Sequence, residues 1–420
     1  MKTSNLLISL LLFLGAGLSA TLPVYAQSGQ VNRQTFSMSE MVYKALNAVQ
    51  VLIDEKNFDQ ALADLADLRE RRITDYERAH TWNMEAYVHF ETNDYDAAML
   101  AYENLMQSER IPDGLRQGAL KGLSQLSLLK ERYDDVINYA QQLLDFQKVQ
   151  DIELYILMGQ AYYRQEKYRE ALVPVLDAID LQQQAGNSIK ENWYLLLNAI
   201  YYSLEDYPGM QSTLKALIVD HPKPAYLLNL AAVYSEQGEI TSQMALMESL
   251  YESDQLDKES QLVNLANLFM FNKVPYKAAV LLEKAMSSGV VKPIYRNYQY
   301  LAQAWQLAGN VDRAFEPLTR AAELADDGTA YLRLAQLYFG KSSWKESEAA
   351  LIQALEKGGL NNTGNAYLLL GMARFNQKAF ATARVAFENA EKDEKMSRLA
   401  GQWLSYLQTE EEKYASLEAD

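Results

Sequence analysis

The sequence predicts an all-α protein, a solenoid of about ten helix-turn-helix repeats closed at its C-terminal end by one further helix. Three observations predict it: a small residue returns every 33 to 39 positions, a second small residue follows it by twelve, and an apolar residue follows it by sixteen. The first residue of each set, taken as the reference, is Val49, Ala86, Ser124, Gly159, Asn198, Ala231, Ala266, Ala302, Ala335 and Gly371. Twelve positions on stand Ala61, Ala98, Ala171, Ala278, Ala314, Ser347 and Ala383, with Val136, Met210 and Gln243 departing from the rule. Sixteen on, every repeat is apolar: Leu65, Tyr102, Ala140, Val175, Leu214, Met247, Leu282, Leu318, Leu351 and Phe387.

The first 26 residues are a separate element. Lys2 gives a positive start, Leu6 to Leu18 is an apolar stretch short of a comfortable bilayer span, and Val24-Tyr25-Ala26 supplies small residues at a cleavage site. This pattern predicts a secretory signal peptide and a mature chain starting near Gln27, the alternative being an uncleaved anchor. Residues 27–37 are polar and predict a mobile lead-in.

From 38 to 393 each repeat predicts two helices. Residues four before, one before, at and three after the reference share one stripe of a 3.6-residue helix, and the second helix repeats this with steps of four and three. Small residues at the reference and at twelve beyond it allow close approach of the two helices, with the large neighbours interlocking around them. Such a hairpin buries its apolar faces only by stacking on its neighbours, which is the logic of a solenoid. The turn inside a hairpin most often ends in an aromatic residue, as in Phe58, Tyr95, Tyr133, Tyr168, Tyr207, Trp344 and Phe380, while Pro275 stands at that position in the seventh repeat. Between hairpins, segments such as "RIPDG", "DHPKP" and "EKGGLNNTG" carry the Pro, Gly and Asn that stop helices. Residues 394–420 close the chain: Met396, Ala400, Trp403, Leu404 and Leu407 form an amphipathic capping helix, and "TEEEKYASLEAD" reads as a solvated acidic tail.

The repeat resembles the tetratricopeptide family. Gly159, Tyr162, Ala171, Val175 and Ala178 match its motif, and Asn198, Tyr201, Leu214, Leu217 and Pro222 give a second match with the closing proline. The resemblance implies a right-handed superhelix whose first helices line a concave face that takes extended peptides or partner helices.

Composition and motifs leave little room for catalysis. The chain has no cysteine, hence no disulfide, lipidation site or thiolate ligand. Its formal charge of −16, spread along the chain, argues against nucleic-acid binding and favours solubility. "GKSS" at Gly340 to Ser343 ends like a phosphate loop, yet Ala335 stands where that loop needs its earlier glycine. His80, His89 and His221 show no metal-ligand spacing, and pairs such as Asp134 and Asp135 belong to helix starts. No catalytic residue, cofactor or metal is expected.

Function is therefore sought on the surface. Residues one and four after the reference point toward the concave face implied by the resemblance. They include Tyr87, Phe90, Gln160, Tyr163, Tyr202, Asn267, Met270, Gln303, Phe339 and Phe375, with Arg164 and Arg333 as possible anchors for carboxylates. Packing against a neighbouring repeat is the alternative role for each ring. These positions are the candidate partner-binding residues of a periplasmic scaffold that binds a protein or peptide. The layout of signal peptide, ten degenerate repeats and acidic end resembles the tetratricopeptide proteins accompanying TonB-type energy-transduction systems of Gram-negative bacteria. That likeness implies TonB, ExbB or ExbD as partners. A second reading is a carbohydrate-associated protein in polysaccharide export or peptidoglycan organisation, with the rings stacking on sugars.

Overall fold

A computed structural model describes residues 37–147 and 150–419, excluding the side chains of 414–419. The proposed signal peptide and nearly all of the lead-in lie outside the described residues. The chain divides between Glu131 and Arg132 into two compact units. The first holds α1 (Glu40–Asp54), α2 (Phe58–Glu70), α3 (Asp75–Glu91), α4 (Tyr95–Met106) and α5 (Asp113–Leu129). The second begins with α6 (Tyr133–Gln147), α7 (Ile152–Arg164), α8 (Tyr168–Gln184), α9 (Glu191–Ser203), α10 (Tyr207–Asp220), α11 (Pro224–Glu236), α12 (Ile240–Glu252) and α13 (Glu259–Phe271). It continues with α14 (Pro275–Ser287), α15 (Tyr295–Leu307), α16 (Val311–Leu324), α17 (Thr329–Gly340), α18 (Trp344–Lys357), α19 (Thr363–Asn376), α20 (Phe380–Glu391) and α21 (Ser397–Ala419). Among the described residues there is no strand, as the helical period required. The third sequence repeat gives α5 to the first unit and α6 to the second.

The spacing argument holds atom by atom. All ten reference residues and all ten residues twelve positions on are buried. Of the residues sixteen on, only Tyr102 keeps part of its surface. A Cβ on Gly159 would stand 2.3 Å from Val175 Cγ2, and one on Gly371 would stand 2.4 Å from Phe387 Cδ1. The reference position is thus the floor on which the residue sixteen positions later sits. Where serine replaces alanine at the twelfth position, Ser347 Oγ satisfies itself by donating to the reference carbonyl of Ala335 at 2.9 Å.

The hairpin turn is set by a single backbone conformation. The residue seven after the reference has a positive φ in every repeat: Lys56, Asn93, Glu131, Glu166, Glu205, Gly238, Lys273, Gly309, Ser342 and Lys378. This left-handed residue reverses the chain, and carbonyls of the last turn of the first helix accept from its amide and from that of the next residue. In the fourth repeat Glu166 N donates to Tyr163 O and Lys167 N to Tyr162 O, both at 3.0 Å, the double bond of a Schellman cap. The aromatic two positions later is the first residue of the second helix. Pro275, which breaks that aromatic pattern, occupies the same first-turn position, where its missing N–H costs nothing.

Neighbouring hairpins are joined at the same offsets within each unit. The residue six after one reference meets the residue ten after the preceding reference: Lys130 with Asp96 at 2.9 Å, Gln165 with Asp134 at 2.8 Å, Lys341 with Asp312 at 2.8 Å. A first-turn glutamate ties the next loop down. Glu259 accepts from Asn297 Nδ2 at 2.9 Å and Lys292 N at 3.2 Å, and Glu191 accepts from Lys223 and Tyr226. Burial and the Glu191 carboxylate together push the Tyr226 hydroxyl up to about 12. At the C-terminal end Ala400 and Leu407 are buried against Phe387 and Ala390, with Trp403 stacked 5.6 Å from Phe387, so α21 caps the last repeat. The acidic tail continues this helix to Ala419. It carries no Gly or Pro to stop it, Glu410 pairs with Lys413 one turn on at 2.7 Å, and Glu411 pairs with Arg384.

Candidate partner-binding surfaces

The side chain four after each reference leaves the first helix just before the left-handed turn, five residues ahead of the ring that starts the second helix. That spacing brings two rings together. Phe90 lies 6.0 Å from Tyr95, Tyr163 5.5 Å from Tyr168, Phe339 4.9 Å edge-on from Trp344, and Phe375 5.6 Å from Phe380. These four candidates are half-buried, and each packs on the ring that starts the second helix of its own hairpin. Phe375 is covered further by Trp403 and Tyr406 of α21, at 5.6 and 5.3 Å. The five-residue interval was visible in the sequence and was the signal for this pairing.

Tyr202 behaves differently. It occupies the same position in the fifth repeat, yet its side chain remains 42% exposed. Elsewhere in the second unit, Arg164, Gln303 and Arg333 are exposed side chains of first helices, while Gln160 and Met270 are half-buried. Met270 packs on the core of its own and adjacent repeats. Asn267 is half-buried with its Oδ1 enclosed and without a protein hydrogen-bond partner, as is Oδ1 of the buried reference residue Asn198. In the first unit Tyr87 is 43% exposed, and burial of its hydroxyl region, then Glu91 and Asp54, raise its pKa. Of the residues five after the reference, sequence reasoning named Arg164 but missed Asp54, Glu91, Phe271 and Leu307, all exposed.

The motifs set aside as structural are built into the fold, although His80 Nε2 and His89 Nδ1 are enclosed without a protein hydrogen-bond partner. Lys341 of "GKSS" pairs with Asp312 and Ser342 is the left-handed turn residue. His221 Nε2 lies 2.8 Å from the Ile189 carbonyl, so that nitrogen carries the proton. His89 lies 3.9 Å from both Glu85 and Asp94, and burial lowers the pKa of His80. Asp134 accepts from Gln165, and Asp135 accepts from Arg132 at 2.6 Å. Among the described residues no three acidic or histidine side chains are grouped to hold a metal, and no helix is long and apolar enough to cross a membrane.

A family model described as "Tetratricopeptide repeat" matches residues 46–113 and 332–397. Among curated proteins no match to the sequence was found. Solved structures similar to the chain include the TPR2AB-domain:pHSP90 complex of yeast Sti1, with 15% identity, coverage of 70% of this chain and 99% of that one, and a TM-score of 0.30. A tetratricopeptide repeat protein from Parabacteroides merdae is 17% identical over 61% of this chain and 98% of its own, with a TM-score of 0.31. YrrB, described as "a TPR protein with an unusual peptide-binding site", is 16% identical over 45% of this chain and 96% of its own, with a TM-score of 0.36. The tetratricopeptide-repeat model thus matches one stretch near each end of the described chain, and the fold is all-α, consistent with a solenoid of such repeats.

Proposed function

We propose that the protein is a non-enzymatic scaffold that holds an extended segment of a partner protein against the exposed face of its first helices. The observation that carries this reading is Tyr202: where four equivalent rings are spent on closing their own hairpins, this one keeps 42% of its surface in solvent. An exposed ring with exposed amide and guanidinium groups in the same unit, Gln303, Arg164 and Arg333, offers an apolar anchor together with donors for backbone carbonyls and carboxylates. The proposed site of action is the periplasm, after removal of residues 1–26, and the proposed setting is an auxiliary role in TonB-dependent uptake through contact with TonB, ExbB or ExbD. The sequence of the leader and the overall likeness to TonB-associated tetratricopeptide proteins support it.

A photoreactive residue placed at Tyr202 in intact cells tests the scaffold reading, with Val219 as the reference position. Val219 lies on a second helix and is 80% exposed, so it reports indiscriminate encounters. Capture of a defined protein from Tyr202 and not from Val219 is the expected result. Equal capture from both positions, or a captured polysaccharide in place of a protein, overturns it. Cell fractionation and N-terminal sequencing check the location: the expected mature chain is periplasmic and begins at Gln27.

A further inference from the structure

We propose that α21 is a self-association surface, on which α21 of a second copy of this chain packs antiparallel across the exposed side chains of Leu399 and Tyr406. The inference goes beyond the scaffold reading and is independent of it.

The spacing makes α21 a first helix without a second. Leu407 stands 36 after the reference Gly371, inside the interval of the repeat, and it is buried as the references are. Trp403, four before it, packs on the preceding hairpin, with its ring 5.6 Å from those of Phe375 and Phe387. Seven after the reference every repeat turns through a left-handed residue, but α21 stays helical through position 414, seven after Leu407, so no second helix folds back at that turn. The consequence falls on the residue one before the reference. From Met158 in the fourth repeat to Leu370 in the tenth that residue is buried, and the next hairpin or α21 packs after it. Tyr406 holds the same position and is 49% exposed, with no described element following α21. Leu399, seven residues earlier and so on the same stripe, is 43% exposed, and half-buried Trp403 lies between them, its ring 5.9 Å from that of Tyr406. The steps of four and three that join Leu399, Trp403, Tyr406, Glu410 and Lys413 are those of a coiled-coil seam.

Charge selects the occupant and its direction. At the start of the helix Lys395 and Arg398 are exposed and form no ion pair among the described residues, and at the other end stand Glu410, Glu411 and Glu412. Lys413 holds Glu410 and Arg384 holds Glu411, whereas exposed Glu412 accepts only from the Gln408 amide, at 3.1 Å. Arg398 and Glu412 are 14 residues apart, about four turns, and so lie on one flank of the apolar stripe. A two-fold axis passing between Trp403 and Tyr406 sets Arg398 of each copy opposite Glu412 of the other, with the rings meeting at the centre. A parallel pair would set like charge against like and align the helix dipoles unfavourably. Unpaired charges occur elsewhere on the chain; particular to α21 is an open apolar stripe with opposite charges at the two ends of one flank, which makes the face complementary to itself. An unrelated apolar segment would cover Leu399 and Tyr406 and leave both charges unmatched.

Sedimentation equilibrium of the mature chain beginning at Gln27, over about 1 to 300 µM, tests the pairing. The stripe spans few turns and the interface is small, so a reversible monomer–dimer equilibrium with Kd on the order of 10–100 µM is expected. Tyr406→Glu and Leu399→Glu should each raise Kd about tenfold or more. Arg398→Glu and Glu412→Arg, both at exposed positions, should each raise it at least about threefold, and the double variant should restore it, because an antiparallel pair merely exchanges the two partners. Circular dichroism confirms the fold of each variant, and the charge variants carry the test should Tyr406→Glu loosen the cap. A chain that stays monomeric at every concentration overturns the proposal. So does a dimer that survives Tyr406→Glu with the fold intact, and so do single charge variants that leave Kd unchanged or that the double variant fails to restore. Capture through Tyr202 tests the scaffold reading separately, so either result can stand without the other.

Discussion

Space at the reference position is set by a single methyl group. Gly159 lies under Val175 and Gly371 under Phe387, so an added Cβ meets a fixed core side chain and not the flexible end of a surface one. Gly159→Ala is expected to lower stability by about 1–3 kcal/mol, measured by urea denaturation. Val175→Ala in the same chain removes the clashing methyl groups, so the two changes should be strongly non-additive, with the double variant less destabilised than the sum. Glu77 is a second residue with a large and testable effect. It is buried, and its two carboxylate oxygens accept from Ser39 N and Oγ at 2.8 and 2.7 Å and from Thr74 N and Oγ1 at 2.8 and 2.9 Å. Burial alone would raise its pKa, but these four hydrogen bonds override it and hold the carboxyl at about 2. A carboxyl depressed in the folded state contributes stability that is fully present above its ordinary value of 4.5 and is lost as pH falls toward 2. Glu77→Gln should therefore cost up to about 3 kcal/mol at pH 7 and reduce the acid sensitivity of the first unit between those values. A variant as stable as the parent at pH 7 contradicts this assignment.

The hairpin turn shows what the sequence hides. Its left-handed residue recurs at one offset in all ten repeats, yet only Gly238 and Gly309 are glycines there. Lys, Glu, Asn and Ser fill the rest, so no compositional signal marks the position. A non-glycine residue in this region bears a backbone cost of about 1–2 kcal/mol, offset in part because glycine is more flexible when unfolded. Glu166→Gly is expected to raise stability by about 0.5–1 kcal/mol, and Gly309→Ala to lower it by about 1 kcal/mol, each read from denaturation midpoints. The small-residue and apolar positions were legible because packing admits few residue types at a helix crossing, as at Ala171 and Val175. Exposure was not legible. Tyr163 and Tyr202 have the same offset in the same kind of doublet, and only coordinates separate the ring that rests on Tyr168 from the one that stays open.

At the scale of the whole molecule, contacts run between consecutive hairpins within each unit, so stability is a sum of local terms coupled through nearest neighbours. A lesion should then be felt locally. Leu407 is fully buried under the last repeat, and Leu407→Ala is expected to cost about 2–5 kcal/mol. Hydrogen exchange should show lost protection in α19 to α21 with protection in α7 to α10 unchanged. Uniform loss across the second unit would mean that it unfolds as one block. The functional account is also local, since it assigns binding to particular open side chains and not to the fold as such. The measurement that tests it most directly is the affinity of the partner captured through Tyr202 for the Tyr202→Ala chain, set against Val219→Ser as the exposed control. The account predicts affinity weakened about tenfold or more, roughly 1.4 kcal/mol, in the first variant and unchanged in the second. Undiminished affinity of Tyr202→Ala would contradict it.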